Sequence, residues 1–355
     1  MGRPMRSKEC NMRMGNRRST EAVGRSVTMR ALALLAGVGM VSISGLAHAG
    51  QCSAAVAGTI AEFALSPGVD PANIVFGSDQ RLWFTEVSSD KIGAADTSGV
   101  VTEYALTSGA APLGITSGPD GRLWFVESGR NRIGAIATCG TVTEYDIPSA
   151  NSNPFGITRG SDGQLWFTEV SGSKVASIST DGVVTEFVLP SAGAQPLGIV
   201  GTRDADLWVA ESFTRKIARV TTAGAVTEYS LPAGAGVPSA LTVGPDGLIW
   251  FTTNKEIAKI DTQGAITEFA LAADVGPQGI TKGPDGNVWF TESDGNKIGR
   301  ISTSGTVTEF PLPNEFSLPA GITFVPKSAG CASLDLWFVE RAGGRVGKVR
   351  AITTY

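Results

Sequence analysis

Histidine is almost missing: the 355 residues contain one, His48. It falls in a leader-like N-terminal stretch, so the domain that follows is expected to hold none. That excludes a Ser-His-Asp triad and a histidine-based metal cluster there. Cysteine is scarce, at four residues, and no apolar run approaches the ~20 residues of a membrane-spanning helix. Helical periodicity is lacking, and no P-loop or dinucleotide fingerprint occurs. What the chain has instead is 45 glycines, seven tryptophans and many short apolar stretches, the composition of an all-β domain with many turns.

The first 49 residues read differently from the rest. Arg13, Arg17, Arg18, Arg25 and Arg30 precede an apolar run from Ala31 to Ile43, which ends in Ala47-His48-Ala49. A basic region, an apolar region and a small-x-small site together predict a signal peptide cleaved near Ala49, and hence a secreted or periplasmic protein. Residues 50–355 are then expected to form a single domain with no integral membrane segment. The leader takes eight of the 29 basic and two of the 33 acidic residues, which leaves a mature net charge of −10. Such a surface disfavours nucleic acid and anionic lipid as partners.

All seven tryptophans sit in one repeated phrase: Trp83, Trp124, Trp166, Trp208, Trp250, Trp289 and Trp337, at spacings of 41, 42, 42, 42, 39 and 48. A proline stands twelve residues before each of the first six, and Pro319 stands eighteen before the last, across an insertion that holds Cys331. Each unit contains four strand-like runs. In the second copy they are residues 114–117, 123–127, 132–136 and 141–145, with an Asp-Gly hairpin signal at Asp120-Gly121. Four short strands per repeat of this length predict the blade of a β-propeller, so the fold class is all-β, a seven-bladed propeller of four-stranded antiparallel blades. A monomer is expected.

The ends of the chain predict how the ring closes. The last unit lacks the turn that leads to a fourth strand, while residues 59–63, Thr-Ile-Ala-Glu-Phe, look like a fourth strand with no blade before them. The N-terminal strand is therefore expected to complete the last blade and remove an open sheet edge. Cys52 then enters that blade near the loop holding Cys331. A Cys52–Cys331 disulfide would lock the clasp, which export permits, leaving Cys139 as the odd thiol.

Two kinds of loop share one face in every blade: the crossing loop into the P-x-G phrase and the loop after W-F-T-E. The variable positions of that mouth include Leu113, Phe155, Leu197, Ser239, Gln278 and Ala320, with Phe213 and Arg215 at the rim. A largely apolar mouth with a few polar points suits a small-molecule or peptide-like ligand, although the same residues could merely plug the channel. Glu86, Glu127, Glu169, Glu211, Glu292 and Glu340 follow the tryptophans, and a ring of carboxylates suits a divalent cation. A base five residues after each (Lys91, Arg132, Lys174, Lys216, Lys297, Arg345) argues for repeated ion pairs instead. The fifth copy supports this reading, because Thr253 and Glu256 replace both partners together. The V-T-E glutamates on the outer strands are expected to be solvated.

The phrases Leu-Trp-Phe-Val-Glu (123–127), Asn-Lys-Ile-Gly-Arg-Ile (296–301) and Val-Thr-Glu-Phe-Pro-Leu-Pro (307–313) resemble the virginiamycin B lyase (streptogramin B lyase) family across the whole mature chain. The resemblance implies a seven-bladed propeller. It also implies a Mg²⁺-dependent elimination that opens the ester of a cyclic depsipeptide, with a histidine base and a metal-held enolate. The family's catalytic histidines align with Gln278 and Ala320, and a metal-binding glutamate aligns with Leu318. Glu340 alone has a family counterpart. Glutamine and alanine cannot act as a base. Three readings follow: a non-catalytic ligand-binding propeller, a carbon–oxygen lyase with a substitute base such as Glu340, and a protein-interaction scaffold.

Overall fold

The computed structural model describes residues 56–326 and 335–352. They form twenty-eight strands and no helix, in seven antiparallel sheets of four strands each. The sheets are the blades of a propeller ring. No helix among the described residues is long and apolar enough to cross a membrane.

In the second blade the two central strands, Leu123–Glu127 and Arg132–Ile136, fall where the sequence puts them. The outer strand, Val142–Asp146, is displaced by one residue, and the inner strand begins two residues earlier, at Pro112. Proline heads the inner strand because a bulge follows it. Pro112 pairs with Glu127, and the register then shifts before Ile115 pairs with Phe125. The same shift after the proline recurs in the other six blades. A bulge there bends the strand and re-aims the residues after the proline.

Ring closure is as expected. Ile60–Ala64 lies antiparallel to Arg345–Arg350 and supplies the outer strand of the last blade, with Phe63 opposite Val346. Phe63 stacks on Trp337 at 5.7 Å, as the aromatic of each other outer strand stacks on its own tryptophan at 5.3–5.8 Å. All seven tryptophans are buried, and they pack against the next blade: Trp124 lies in one cluster with Leu165 and Phe167. Large aromatic faces between sheets supply much of the buried area that holds a ring with no central core. Cys52, Cys331 and their expected bond lie outside the described residues. Cys139 is exposed in its turn, with Sγ 3.7 Å from Thr141 Oγ1.

The G-P-D-G turns do more than reverse the chain. In five blades the turn aspartate accepts a hydrogen bond from the buried indole N–H, for example Asp120 from Trp124 and Asp285 from Trp289. The glycine that opens the turn is required for this. A Cβ at Gly77, Gly118, Gly160, Gly244 or Gly283 would lie under 3.0 Å from both the aspartate and the indole.

Candidate functional site

The inner strands surround a central cavity of about 460 Å³, lined by Asn73, Leu113, Phe155, Ser239 and Ala240 among others. Their backbones approach closely around the axis. A Cβ at Gly114 would meet the carbonyl of Phe155 at 2.6 Å, and one at Gly156 the carbonyl of Leu197 at 2.6 Å. This is why most P-x-G phrases carry glycine. The bulges are pinned by the threonine of W-F-T-E. Thr168 Oγ1 donates to the carbonyl of Leu197 in the next blade (2.7 Å) and accepts from the N–H of Gly156 in its own. Thr85, Thr252 and Thr291 hold Leu113, Gln278 and Ala320 by their carbonyls in the same way. The mouth residues thus stand on a rigid hydrogen-bonded collar.

Of the residues singled out from sequence, Leu113, Phe155 and Ser239 line the cavity. Leu197, Gln278 and Ala320 sit at the equivalent bulges, with Gln278 exposed and the other two half-buried. Phe213 is 70% exposed on the loop after the fourth W-x-x-E phrase, and Arg215 Nη1 reaches the carbonyl of Ala235. Phe316, 80% exposed, lies outside the repeated phrases that mark the other mouth residues. It lies with the exposed Leu318 in the crossing loop before the last blade, on the same face. Its signal was readable, because this is the one crossing loop of the seven that contains an aromatic. The loop is held in place: Asn296 Oδ1 accepts from the N–H of Ser317, and Asn296 Nδ2 donates to the carbonyl of Asn314. Phe155, Phe213, Phe316 and Leu318 together give this face an apolar, exposed character.

The ion pairs expected after W-F-T-E are found in the last blade only, where Arg345 Nη1 lies 3.2 Å from Glu340 Oε2. In the other five the base turns away. Lys91, Arg132, Lys174, Lys216 and Lys297 pair at 2.5–2.7 Å with the outer-strand residues Glu103, Glu144, Glu186, Glu228 and Glu309. Those V-T-E glutamates are accordingly ion-paired rather than simply solvated. Several also accept from the preceding crossing loop, as Glu186 does from Ser149 N and Oγ. In the last blade the outer strand comes from the N-terminus. Its Glu62 accepts from Asn314 Nδ2, so Arg345 has only Glu340 to meet. In the fifth blade Thr253 replaces the glutamate and its hydroxyl accepts from the N–H groups of Lys255 and Glu256.

The six W-F-T-E glutamates are left fully buried. Neither carboxyl oxygen of Glu127, Glu169 or Glu292 has a hydrogen-bond partner among the described residues. Burial, followed by the charge of the nearby outer glutamate, pushes these three up to about 7. Burial also raises Glu86, Glu211 and Glu340.

These carboxyls do not form a magnesium site. They stand between successive blades rather than around one point, and no group of three or more Asp, Glu, His or Cys is placed to hold a metal among the described residues. Leu318, beside the last blade's proline, offers no oxygen ligand from its side chain, and Glu340 is engaged by Arg345. A divalent cation, which requires several oxygen ligands, does not fit this donor set.

The chain matches the model of the virginiamycin B lyase family over residues 47–200 and 160–355. A solved streptogramin B lyase is 35% identical, covers 82% of this chain and 97% of its own length, and superposes with a TM-score of 0.77. A catalytically inactive histidine-to-alanine variant of virginiamycin B lyase from Staphylococcus aureus, solved with quinupristin, is 33% identical and covers 83% of this chain and 99% of its own (TM-score 0.78). Hydrazine synthase of Kuenenia stuttgartiensis, 14% identical with a TM-score of 0.67 over 81% of this chain and 97% of its own, shares the fold alone. Among curated proteins, none matches.

Proposed function

The chain belongs to the virginiamycin B lyase family, and from that premise we propose that it is an exported, monomeric propeller that binds a small or peptide-like ligand at its P-x-G mouth without the family's histidine-based elimination. The observation that carries this reading is the combination of a central cavity with an apolar exposed rim, Phe155, Phe213, Phe316 and Leu318, and no ionisable group at Gln278 or Ala320. In the S. aureus relative, replacing one histidine by alanine is enough for a catalytically inactive protein that still carries quinupristin. Here the single histidine, His48, precedes the propeller. A lyase with a substitute base would need Glu340 to reach a substrate. Glu340 has no exposed surface, and Arg345 takes one of its oxygens.

Calorimetric titration with quinupristin tests the binding. Saturable binding is expected, weakened about tenfold by Phe155→Ser, since losing a buried aromatic contact at an interface costs on the order of 1–2 kcal/mol. Binding that is absent, or indifferent to Phe155→Ser and Phe316→Ser together, would leave the mouth without this role.

A further inference from the structure

The fourth blade departs from its siblings on the opposite face of the ring. Where the turns of five other blades open with glycine, and the last blade has Val325 ahead of its insertion, the fourth has Thr202. Thr202 is held by its own hydrogen bonds, N–H and Oγ1 both donating to the carbonyl of Asp206 at 2.8 and 3.0 Å. A side chain at this position occupies the space that the aspartate and the indole share elsewhere. Asp204, in the place of Asp120 and its counterparts, consequently makes no bond to the indole and is exposed. Among the described residues, Trp208 Nε1 has no hydrogen-bond partner. At 2% exposure Trp208 is also the least buried of the seven tryptophans.

The turn opens onto a cleft of about 650 Å³ between the third and sixth blades, with Trp208 in its wall. Its apolar side is Val243, Leu248, Ile249 and Ile260. Three cations border it: Arg159 and Lys282, at the ends of the third and sixth inner strands, and Arg203 in the altered turn. Among the described residues, the guanidiniums of Arg159 and Arg203 make no ion pair or hydrogen bond. Lys282 lies over the ring of Phe324 at 5.5 Å. Of the two acids, Asp206 is neutralised by Arg219 at 2.6 Å, which leaves Asp204 against three positive charges.

An open indole donor, unengaged guanidiniums and an apolar wall in one cleft define a complementary shape. We propose that this cleft is a second binding site, distinct from the P-x-G mouth, for a small organic anion: a phosphate or carboxylate carried on a flat apolar body. The anion meets Arg159, Arg203 and the Trp208 N–H, charge-assisted bonds that are stronger than neutral ones. The apolar body covers Val243 and Ile249. Indole N–H groups in partly apolar pockets ordinarily find an acceptor, and here the ligand supplies it.

Titration of the mature protein with phenyl phosphate is the test, with inorganic phosphate (charge without ring) and benzyl alcohol (ring without charge) alongside. Phenyl phosphate is expected to bind with a dissociation constant of about 1 mM or tighter, at least about tenfold better than either control. Arg159→Glu with Arg203→Glu, both at exposed positions, should weaken it about tenfold or more, while Lys255→Glu on the other face should not. Thr202→Gly is the sharper variant. It restores the glycine of the sibling turns, lets Asp204 take the indole N–H, and should remove binding while raising the melting temperature. The proposal is overturned if phenyl phosphate does not bind, if benzyl alcohol binds as well, or if Thr202→Gly and the double arginine variant leave its affinity unchanged.

Discussion

The melting temperature is expected to rise by about 10 °C as the pH is lowered from about 8 to about 5, the reverse of ordinary acid destabilisation. The cause is the set of buried glutamates between the blades. Glu127, Glu169 and Glu292 titrate at about 7 in the folded protein, against 4.5 for an unhindered glutamate, and Glu86, Glu211 and Glu340 move in the same direction. A carboxyl whose pKa is raised on folding binds more protons in the native than in the unfolded state between those two values. Stability is therefore fully present below the unfolded pKa and is lost as pH rises through 7. Each shift of that size corresponds to at most roughly 3 kcal/mol, less once the surroundings relax, and the effects of several blades accumulate. The outer glutamates act in a lower window. Lys91 holds Glu103 below its ordinary value, and Lys174 and Ser149 outweigh burial to hold Glu186 low, so their contribution is lost only at more acid pH. A stability maximum near pH 5 follows. Thermal scans across this range check it: Glu169→Gln with Glu292→Gln should flatten the slope and stabilise the protein at high pH. A melting temperature that falls steadily from pH 8 to pH 5 would contradict the burial of these carboxyls in ionisable form.

Removing the first 64 residues is expected to abolish the folded ring. The last blade would lose its outer strand, the Phe63–Trp337 stack at 5.7 Å and the backbone pairing from Ile60 to Ala64. Val349 and Trp337 would be uncovered along an open edge, which invites pairing with other chains. Stripping one strand and its half-buried aromatic takes away a large part of the ~5–15 kcal/mol margin of a typical domain, because the last blade has no other outer strand and only its packing on the first blade would still close the ring. The shortened chain should aggregate or give an unfolded circular dichroism spectrum. Adding a peptide of residues 56–65 should recover soluble, folded material. A shortened chain that melts like the full one would mean that this clasp is dispensable.

The fold was legible because the repeat is strict. Seven tryptophan phrases in register place every strand to within a residue or two, and Thr-Ile-Ala-Glu-Phe with no blade before it identifies the clasp. The destination of the lysines was not legible. Glu86 and Lys91 are cross-strand neighbours on the backbone, as the spacing implies, yet Glu103 stands opposite Gly93 two residues further on, within reach of the same side chain. Two carboxylates compete for one ammonium. The outer one wins because an ion pair at a half-exposed edge avoids dehydrating the ammonium, a penalty that the buried position would impose in full. Spacing along a strand does not carry that difference in solvation. The cleft beside Trp208 was hidden for a related reason. Thr202 is visible as a departure from the repeat, but its effect depends on how closely the turn, its aspartate and the indole crowd together in space.

At the mouth, sequence marked positions rather than an arrangement. The bulge after each proline and the threonine of the preceding blade decide which way each residue faces. Both belong to the pairing of strands rather than to any single motif. What the sequence does settle chemically is the lack of a base at Gln278 and Ala320.

The most direct test of the central proposal is to incubate purified mature protein with quinupristin and Mg²⁺, with an active streptogramin B lyase in parallel, and to follow both binding and the fate of the ring. Elimination leaves the mass unchanged, so fragmentation mass spectrometry must distinguish the cyclic ester from a linear product with a dehydro residue and a free acid. The account predicts saturable binding and intact cyclic quinupristin while the parallel enzyme linearises it. A linear product from this protein would contradict a binding role without elimination, and would require a base other than histidine.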